Sequence, residues 1–232
     1  MSLTKKIRDR KKKNINEQLE YFKDNRNIKN IEYLDLCSSD HNWEYTKFKR
    51  VNILTTFSNL KILKIREVKN PKSTSITLPN SLEEFHCNSC ENIIQSCILP
   101  NTLKKLCCSQ NKLSEFESFP TALTHLNISH NSISSLENLP DTLIFLDCSH
   151  NWLEKIKFPK KLEELILTDN KHFINSQDIL LVKLKKCVID YKCDFNFSKT
   201  TDLNKIALIS NRYSENNCEK IINVSILNEN VE

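Results

Sequence analysis

Two groups of residues have the types and spacing to do chemistry. Cys87 and Cys90 form a C-x-x-C pair, the spacing of a zinc half-site or a redox dithiol. His130, His150 and Asp169 recur at a nearly constant interval, each directly before an asparagine. If coils of that period stack, neighbours lie about 5 Å apart. Two imidazoles and a carboxylate would then suit a zinc or manganese ion. Ser129 and Ser149 precede the two histidines and offer nucleophiles for a hydrolase built on the same column. A plainer reading stands beside each. A structural zinc site needs four ligands, and the chain has no second C-x-x-C. Ser-His-Asn also reads as a solvated, polar strand exit, and a single face supplies no oxyanion loop.

Composition narrows the classes further. The 232 residues include no glycine, where about 7% is ordinary. Nucleotide-binding loops set several glycines against the phosphates, so dinucleotide and P-loop enzymes are excluded. Any turn that needs positive φ is expected to fall on asparagine. Net charge is +5, unevenly placed. Residues 1–29 hold ten Lys and Arg against four Asp and Glu, while the remaining 24 basic and 25 acidic residues nearly cancel. No apolar run approaches the length of a membrane span, so none is expected. The opening MSLTKKIRDRKKKN has no apolar stretch behind its charges and does not read as a secretory signal. The ten cysteines are therefore expected to be reduced, in the cytoplasm.

The elements that position these residues follow from an internal period. Pro79, Pro100, Pro120, Pro140 and Pro159 are almost evenly spaced, and one spelling follows each. Leu82-x-x-Phe85-x-Cys87 is succeeded by Leu103-x-x-Leu106-x-Cys108, Leu123-x-x-Leu126-x-Ile128, Leu143-x-x-Leu146-x-Cys148 and Leu162-x-x-Leu165-x-Leu167. Asn111, Asn131, Asn151 and Asn170 each stand one turn beyond the last of these positions. This is the L-x-x-L-x-L-x-x-N/C-x-L spelling of a leucine-rich repeat, at the short end of its range of periods. Ile31, Leu34 and Leu36, then Leu60, Leu63 and Ile65, extend the phase upstream; Leu184, Cys187 and Ile189, then Leu203, Ile206 and Leu208, extend it downstream. Ile221, Val224 and Ile226 suit a final capping turn.

The predicted fold is a leucine-rich-repeat solenoid, α/β in class and dominated by strands. A curved parallel sheet forms the concave face, the convex side is extended or 3-10, and a short helix caps the N-terminal end. Residues 1–14 are read as a basic disordered tail, 15–30 as the helical cap and 31–232 as the solenoid, with the best-defined coils over 79–171. The longer first coil leaves room for a helix through Trp43, Val51, Leu54 and Phe57. Leucines point inward, and the asparagine amides are expected to bond backbone groups of neighbouring coils. Cys87 then takes an inward strand position and Cys90 the asparagine position, so both read as core. Cys107 should face outward and be more oxidisable than Cys108, while Cys97, Cys193 and Cys218 have no assigned role.

The run LPNTLKKLCCSQNKLSEFESF, PTALTHLNISHNSISSLENL, PDTLIFLDCSHNWLEKIKF resembles the short repeats of bacterial effectors of the Shigella and Salmonella type. It looks similar also to the leucine-rich-repeat proteins of giant DNA viruses of amoebae. The resemblance implies a horseshoe or superhelical fold and a protein-binding role. Those effectors add a large C-terminal ubiquitin-ligase domain with a catalytic cysteine. The stretch after Asn170 keeps the repeat phase instead, so that activity is not carried over.

The outward strand positions are the expected working surface. Phe145 and Ile166 are apolar where solvent should be, on adjoining coils, and Trp152 is expected on the rim beside them. Aromatic anchors ringed by polar groups are the composition of a binding hot spot. The expectation is a non-catalytic protein-binding module working through its concave face, centred on Phe145, Ile166 and Trp152 and tuned by His125, Asp147 and Lys105. The alternative is a metal-binding or metal-dependent hydrolytic site on the His130, His150 and Asp169 column. The chain is expected to be a monomer with a protein partner and no cofactor. No catalytic residue, membrane contact or nucleic-acid partner is expected. Lys5 to Lys13 would serve as a solubilising tail, or as a nuclear-import signal on a chain otherwise placed in the cytoplasm, including a host cell's.

Overall fold

The computed structural model describes residues 19, 28–37, 46–47, 51–69, 75–170, 184–190, 205–209 and 220–222. They fall into two compact units. The first is Met1–Lys112 with Pro120–Leu123, and the second is Leu113–Phe119 with Thr124–Glu232.

The first unit contains β1 (Tyr33–Cys37), β2 (Thr46–Lys47), β3 (Ile62–Arg66), β4 (Val68–Lys69), β5 (Ile76–Thr77), β6 (Glu84–His86), β7 (Cys97–Ile98) and β8 (Lys105–Cys107). The second contains β9 (His125–Asn127), β10 (Ser135–Leu136), β11 (Phe145–Asp147), β12 (Lys155–Ile156), β13 (Glu164–Ile166), β14 (Lys186–Asp190), β15 (Lys205–Ile209) and β16 (Lys220–Ile222). Within the first unit β1, β3, β6 and β8 pair in parallel, one strand per coil. Within the second, β9, β11, β13, β14 and β15 do the same. The side away from these strands carries short parallel pairs, β2 with β4, β5 with β7 and β10 with β12. It also carries a 3-10 stretch, Val51–Thr56, and a one-turn helix, Ile93–Ser96. A coil this short has no length left for a full helix after its strand and two turns.

The repeat spelling explains each coil. The proline carbonyl accepts a hydrogen bond from the N–H of the leucine three positions on, at 3.0–3.1 Å at each proline from Pro79 to Pro159. That turn delivers the chain into its strand. Proline has no N–H to offer the ladder and loses nothing there. Within the strands, side chains alternate. The central residues Phe85, Leu106, Leu126, Leu146 and Leu165 are buried while both flanking residues remain partly or fully exposed. Each such side chain contributes about 1.5–3 kcal/mol through burial, before conformational entropy is charged.

The asparagines close the coils from inside. Asn131 Oδ1 accepts from Leu113 N–H, Asn151 Oδ1 from Ile133 N–H, and Asn170 Oδ1 from Leu153 N–H, at 3.0–3.1 Å. Their amide nitrogens donate to strand-exit carbonyls of their own coil, and Asn151 and Asn170 also reach the preceding coil. Cys90 stands in for asparagine in the first unit, where its single S–H is shared between Ile65 O at 3.5 Å and Asn88 O at 3.4 Å.

Three expectations meet a different structure. Positive φ does not fall on asparagine alone. Ser89, Gln110, His130, His150 and Asp169, the residues just before the Asn or Cys position, all adopt φ of 53–59°, as do Glu67, Asn92 and Lys112. The turn needs a left-handed residue one step ahead of the amide that bonds into the coil. A non-glycine side chain takes that place at about 1–2 kcal/mol each. Second, the final capping turn expected at Ile221 takes the form of a strand, β16, which pairs antiparallel with β15. The antiparallel strand satisfies the outer row of β15 backbone groups. Third, the predicted helix through Trp43 is, over Val51–Thr56, a 3-10 stretch with Leu54 buried in it and Phe57 buried just beyond. Trp43 lies outside the described residues, as do residues 1–14. Of the predicted cap, Leu19 is helical and buried, and Ile28–Asn30 form a 3-10 turn.

Candidate functional site

The strands of the second unit bring the outward residues into two columns. In-register pairing runs His125, Phe145, Glu164 and Lys186 along one, and Asn127, Asp147, Ile166 and Val188 along the other. Phe145 and Ile166 therefore sit diagonally on adjoining strands. Val188, which the sequence reading did not single out, extends the apolar strip beside Ile166. Its signal was present in the Leu184-x-x-Cys187-x-Ile189 spelling, which makes 188 an outward position. Phe145 and Ile166 are half-buried, and the His125 ring stacks on Phe145 with centroids 6.0 Å apart.

The polar groups around them are held in place. Asp147 Oδ2 accepts from Asn127 Nδ2 at 3.0 Å, and its Oδ1 accepts from Ser149 N–H at 3.2 Å and Ser149 Oγ at 2.7 Å. Ser129 Oγ donates likewise to Asn127 Oδ1 at 2.8 Å. His125 Nδ1 lies 2.9 Å from Thr124 Oγ1. Both serine hydroxyls are buried and committed to the residue two positions earlier. Neither is presented as a nucleophile.

Trp152 is 63% exposed, one residue past Asn151 and beyond the strand exit, where its N–H donates to Ile133 O at 3.0 Å. Lys105 lies in the first unit, its ammonium 2.9 Å from Glu84. Ile98, at 62% exposure, is the other large exposed apolar residue among those described. It belongs to β7, too short for periodicity to mark from sequence.

The histidine column comes together as its spacing predicts, in a form of its own. The His130 and His150 rings stack 4.1 Å apart and 10° from parallel, and His150 Nδ1 lies 3.1 Å from Asp169 Oδ2. Imidazole lone pairs lie in the ring plane, so stacked rings aim theirs along parallel planes and do not converge on one ion. The His150 nitrogen nearest Asp169 is already engaged by it.

The cysteines behave as core. Cys87 and Cys108 are buried just past neighbouring strands β6 and β8 of the first unit, and Cys148 and Cys187 are buried in the second. Burial pushes the Cys87, Cys108 and Cys148 thiols well above their ordinary range. It pushes Cys90 up to about 12. Burial also raises Cys97, in β7, a thiol left without a role by the sequence and only partly buried. Cys107 is half-buried on the outward face. Cys193 and Cys218 lie outside the described residues. A thiolate is the form that ligates metal or exchanges disulfides, and burial withholds it from Cys87 and Cys90.

No family profile matches the sequence, and no curated protein matches it. Among solved structures, the chain is similar to InlP of Listeria monocytogenes, at 22% identity over 63% of this chain and 45% of that one, with a TM-score of 0.41. It is similar to YopM from Yersinia enterocolitica WA-314, at 21% identity over 78% and 48%, TM-score 0.41. It is similar also to CroV588, described as a novel circular LRR protein structure, at 15% identity over 82% and 36%, TM-score 0.46. The chain thus spans less than half the length of each. By its own repeat spelling, its one parallel strand per coil and its buried asparagine ladder, this chain is built of leucine-rich-repeat solenoid coils.

Proposed function

We propose that the chain is a non-catalytic interaction module that captures a partner protein on the exposed, concave face of its repeat strands. The observation that carries this reading is the patch on β11, β13 and β14. There Phe145 and Ile166 stand at outward positions on adjoining strands, with Val188 in register beside Ile166. An aromatic anchor, an aliphatic strip and oriented polar neighbours make up the composition of a hot spot, where a few residues carry most of the binding energy. His125 and Asp147 border the anchor, and Trp152 adds exposed aromatic area at the strand exit. The reading includes no turnover: the serine hydroxyls are spent on Asn127 and Asp147, and His150 Nδ1 is engaged by Asp169.

The test is Phe145→Asp in a tagged chain, with cross-linking in the native cell and mass spectrometry of captured proteins. Capture of the major partner should fall by at least about ten-fold, the loss expected of a hot-spot anchor. The thermal unfolding midpoint should stay within a few degrees of the parent. Capture that survives Phe145→Asp removes this patch from the function.

A further inference from the structure

Resting on that docking reading, we infer that the patch receives a cationic segment: an arginine or lysine next to an aliphatic residue of the partner protein. The chain itself shows what fills such positions. On the strand face of the first unit, each ring and carboxylate has its own cation. Lys64 Nζ stands 5.8 Å above the Tyr33 ring, Arg66 lies 3.5 Å from Asp35, and Lys105 lies 2.9 Å from Glu84.

The second unit presents the same kinds of group, and among the described residues they are not paired in this way. Phe145 stacks with His125, and no lysine or arginine stands over its ring among the described residues. Glu164, in register beside it, is half-buried and engages no ion pair or side-chain hydrogen bond among the described residues. Lys186, on the other side of Glu164 in the same column, is exposed and does not close on it. Asp147, diagonal to Glu164, is fixed by its bonds to Asn127 and Ser149.

A carboxylate with no ion-pair partner among the described residues leaves its acceptor oxygens open to an incoming cation. A guanidinium laid on Phe145 gains the ring's negative face and meets the Glu164 carboxylate at its edge. The aliphatic neighbour then falls on Ile166 and Val188, whose in-register pairing makes one continuous strip. Neutral or acidic segments would bury Glu164 unpaired and are disfavoured by the same groups.

Nonapeptides of alanine and leucine with a central arginine, glutamine or glutamate, immobilised at equal density and probed with the full chain, test this. The arginine peptide should bind about ten-fold tighter than the glutamine peptide, with glutamate weakest, as one charge-assisted pair predicts. Its advantage should shrink as salt rises. Glu164→Gln should bring arginine down to the glutamine level, and Glu164→Lys should invert the order, both with an unchanged unfolding midpoint. Equal binding of the arginine and glutamine peptides, or an order that survives Glu164→Lys, overturns the inference. If the glutamine or glutamate peptide binds best and Phe145→Asp abolishes it, the docking face stands and its cationic occupant falls. Binding by none of the three also overturns the cationic occupant, and leaves the docking face to be decided by the Phe145→Asp capture.

Discussion

Replacing Asn151 with alanine removes one amide that ties two coils together, its own and the preceding one. Its Oδ1 accepts the Ile133 N–H at 3.0 Å, and its Nδ2 donates to Ile128 O at 3.0 Å and to Cys148 O and Ser149 O at 3.1 Å. Two N–H bonds share three carbonyls, so the amide is worth about three hydrogen bonds. At a net of about 1 kcal/mol each, that is about 3 kcal/mol. Alanine also leaves the Ile133 N–H buried and unsatisfied, adding about 1–2 kcal/mol. A loss of about 4–5 kcal/mol is a large part of the roughly 5–15 kcal/mol that holds a domain folded. At about 2–4 °C per kcal/mol for a chain of this size, the unfolding midpoint should fall by about 8–20 °C. Urea denaturation followed by circular dichroism measures the free energy. Hydrogen exchange at the Ile133 amide reads the orphaned donor itself. Trp152→Ala, one residue along and exposed, is the control and should cost less than about 0.5 kcal/mol. An Asn151→Ala loss below about 1 kcal/mol, or an Ile133 amide as protected as before, would show that the ladder does not hold the coils together.

Further outcomes follow from the same geometry. Iodoacetamide on the native chain at pH 8 should label Cys107 ahead of Cys87, Cys108 and Cys148, which should stay untouched until unfolding, as peptide mass spectrometry would reveal. The raised thiols also make stability fall in alkali. The fold holds these groups neutral, so their contribution is intact below the ordinary thiol value of about 8.5 and is lost as unfolded-state thiols ionise above it. Each of Cys87, Cys90, Cys108 and Cys148 should add about 1.4 kcal/mol per pH unit to the decline, measurable by urea titration from pH 8 to 10 and cancelled site by site by Cys→Ala. Zinc or manganese titration should show less than one equivalent of tight metal, unchanged by His130→Ala with His150→Ala; a stoichiometric site lost in that pair would return the histidine column to metal chemistry. At Lys112, exposed with φ of 58°, Lys112→Gly should gain up to about 1 kcal/mol, whereas Lys112→Val should cost more than that gain.

The inward half of this protein was legible from residue order alone. The repeat period and the L-x-L alternation identify Leu106, Leu126, Leu146 and Leu165 as core. The following asparagine marks where backbone groups need an amide, and Cys87 and Cys90 are absorbed by the same pattern. These assignments depend on alternation within a few residues, which the chain carries locally. The outward half depends on which residue of the next coil comes to lie alongside. That register is set by coil lengths and turn geometry many residues away. Only the folded chain decided that Glu84 has Lys105 while Glu164 has no such partner among the described residues, that Val188 extends the strip beside Ile166, and that Ser129 and Ser149 spend their hydroxyls on Asn127 and Asp147. It also decided that the positive-φ burden falls on Ser89, Gln110, His130, His150 and Asp169, because the asparagine amide can reach its partners only if the residue before it turns the backbone. Burial is written in a short stretch of sequence, whereas adjacency across coils exists only once they have stacked.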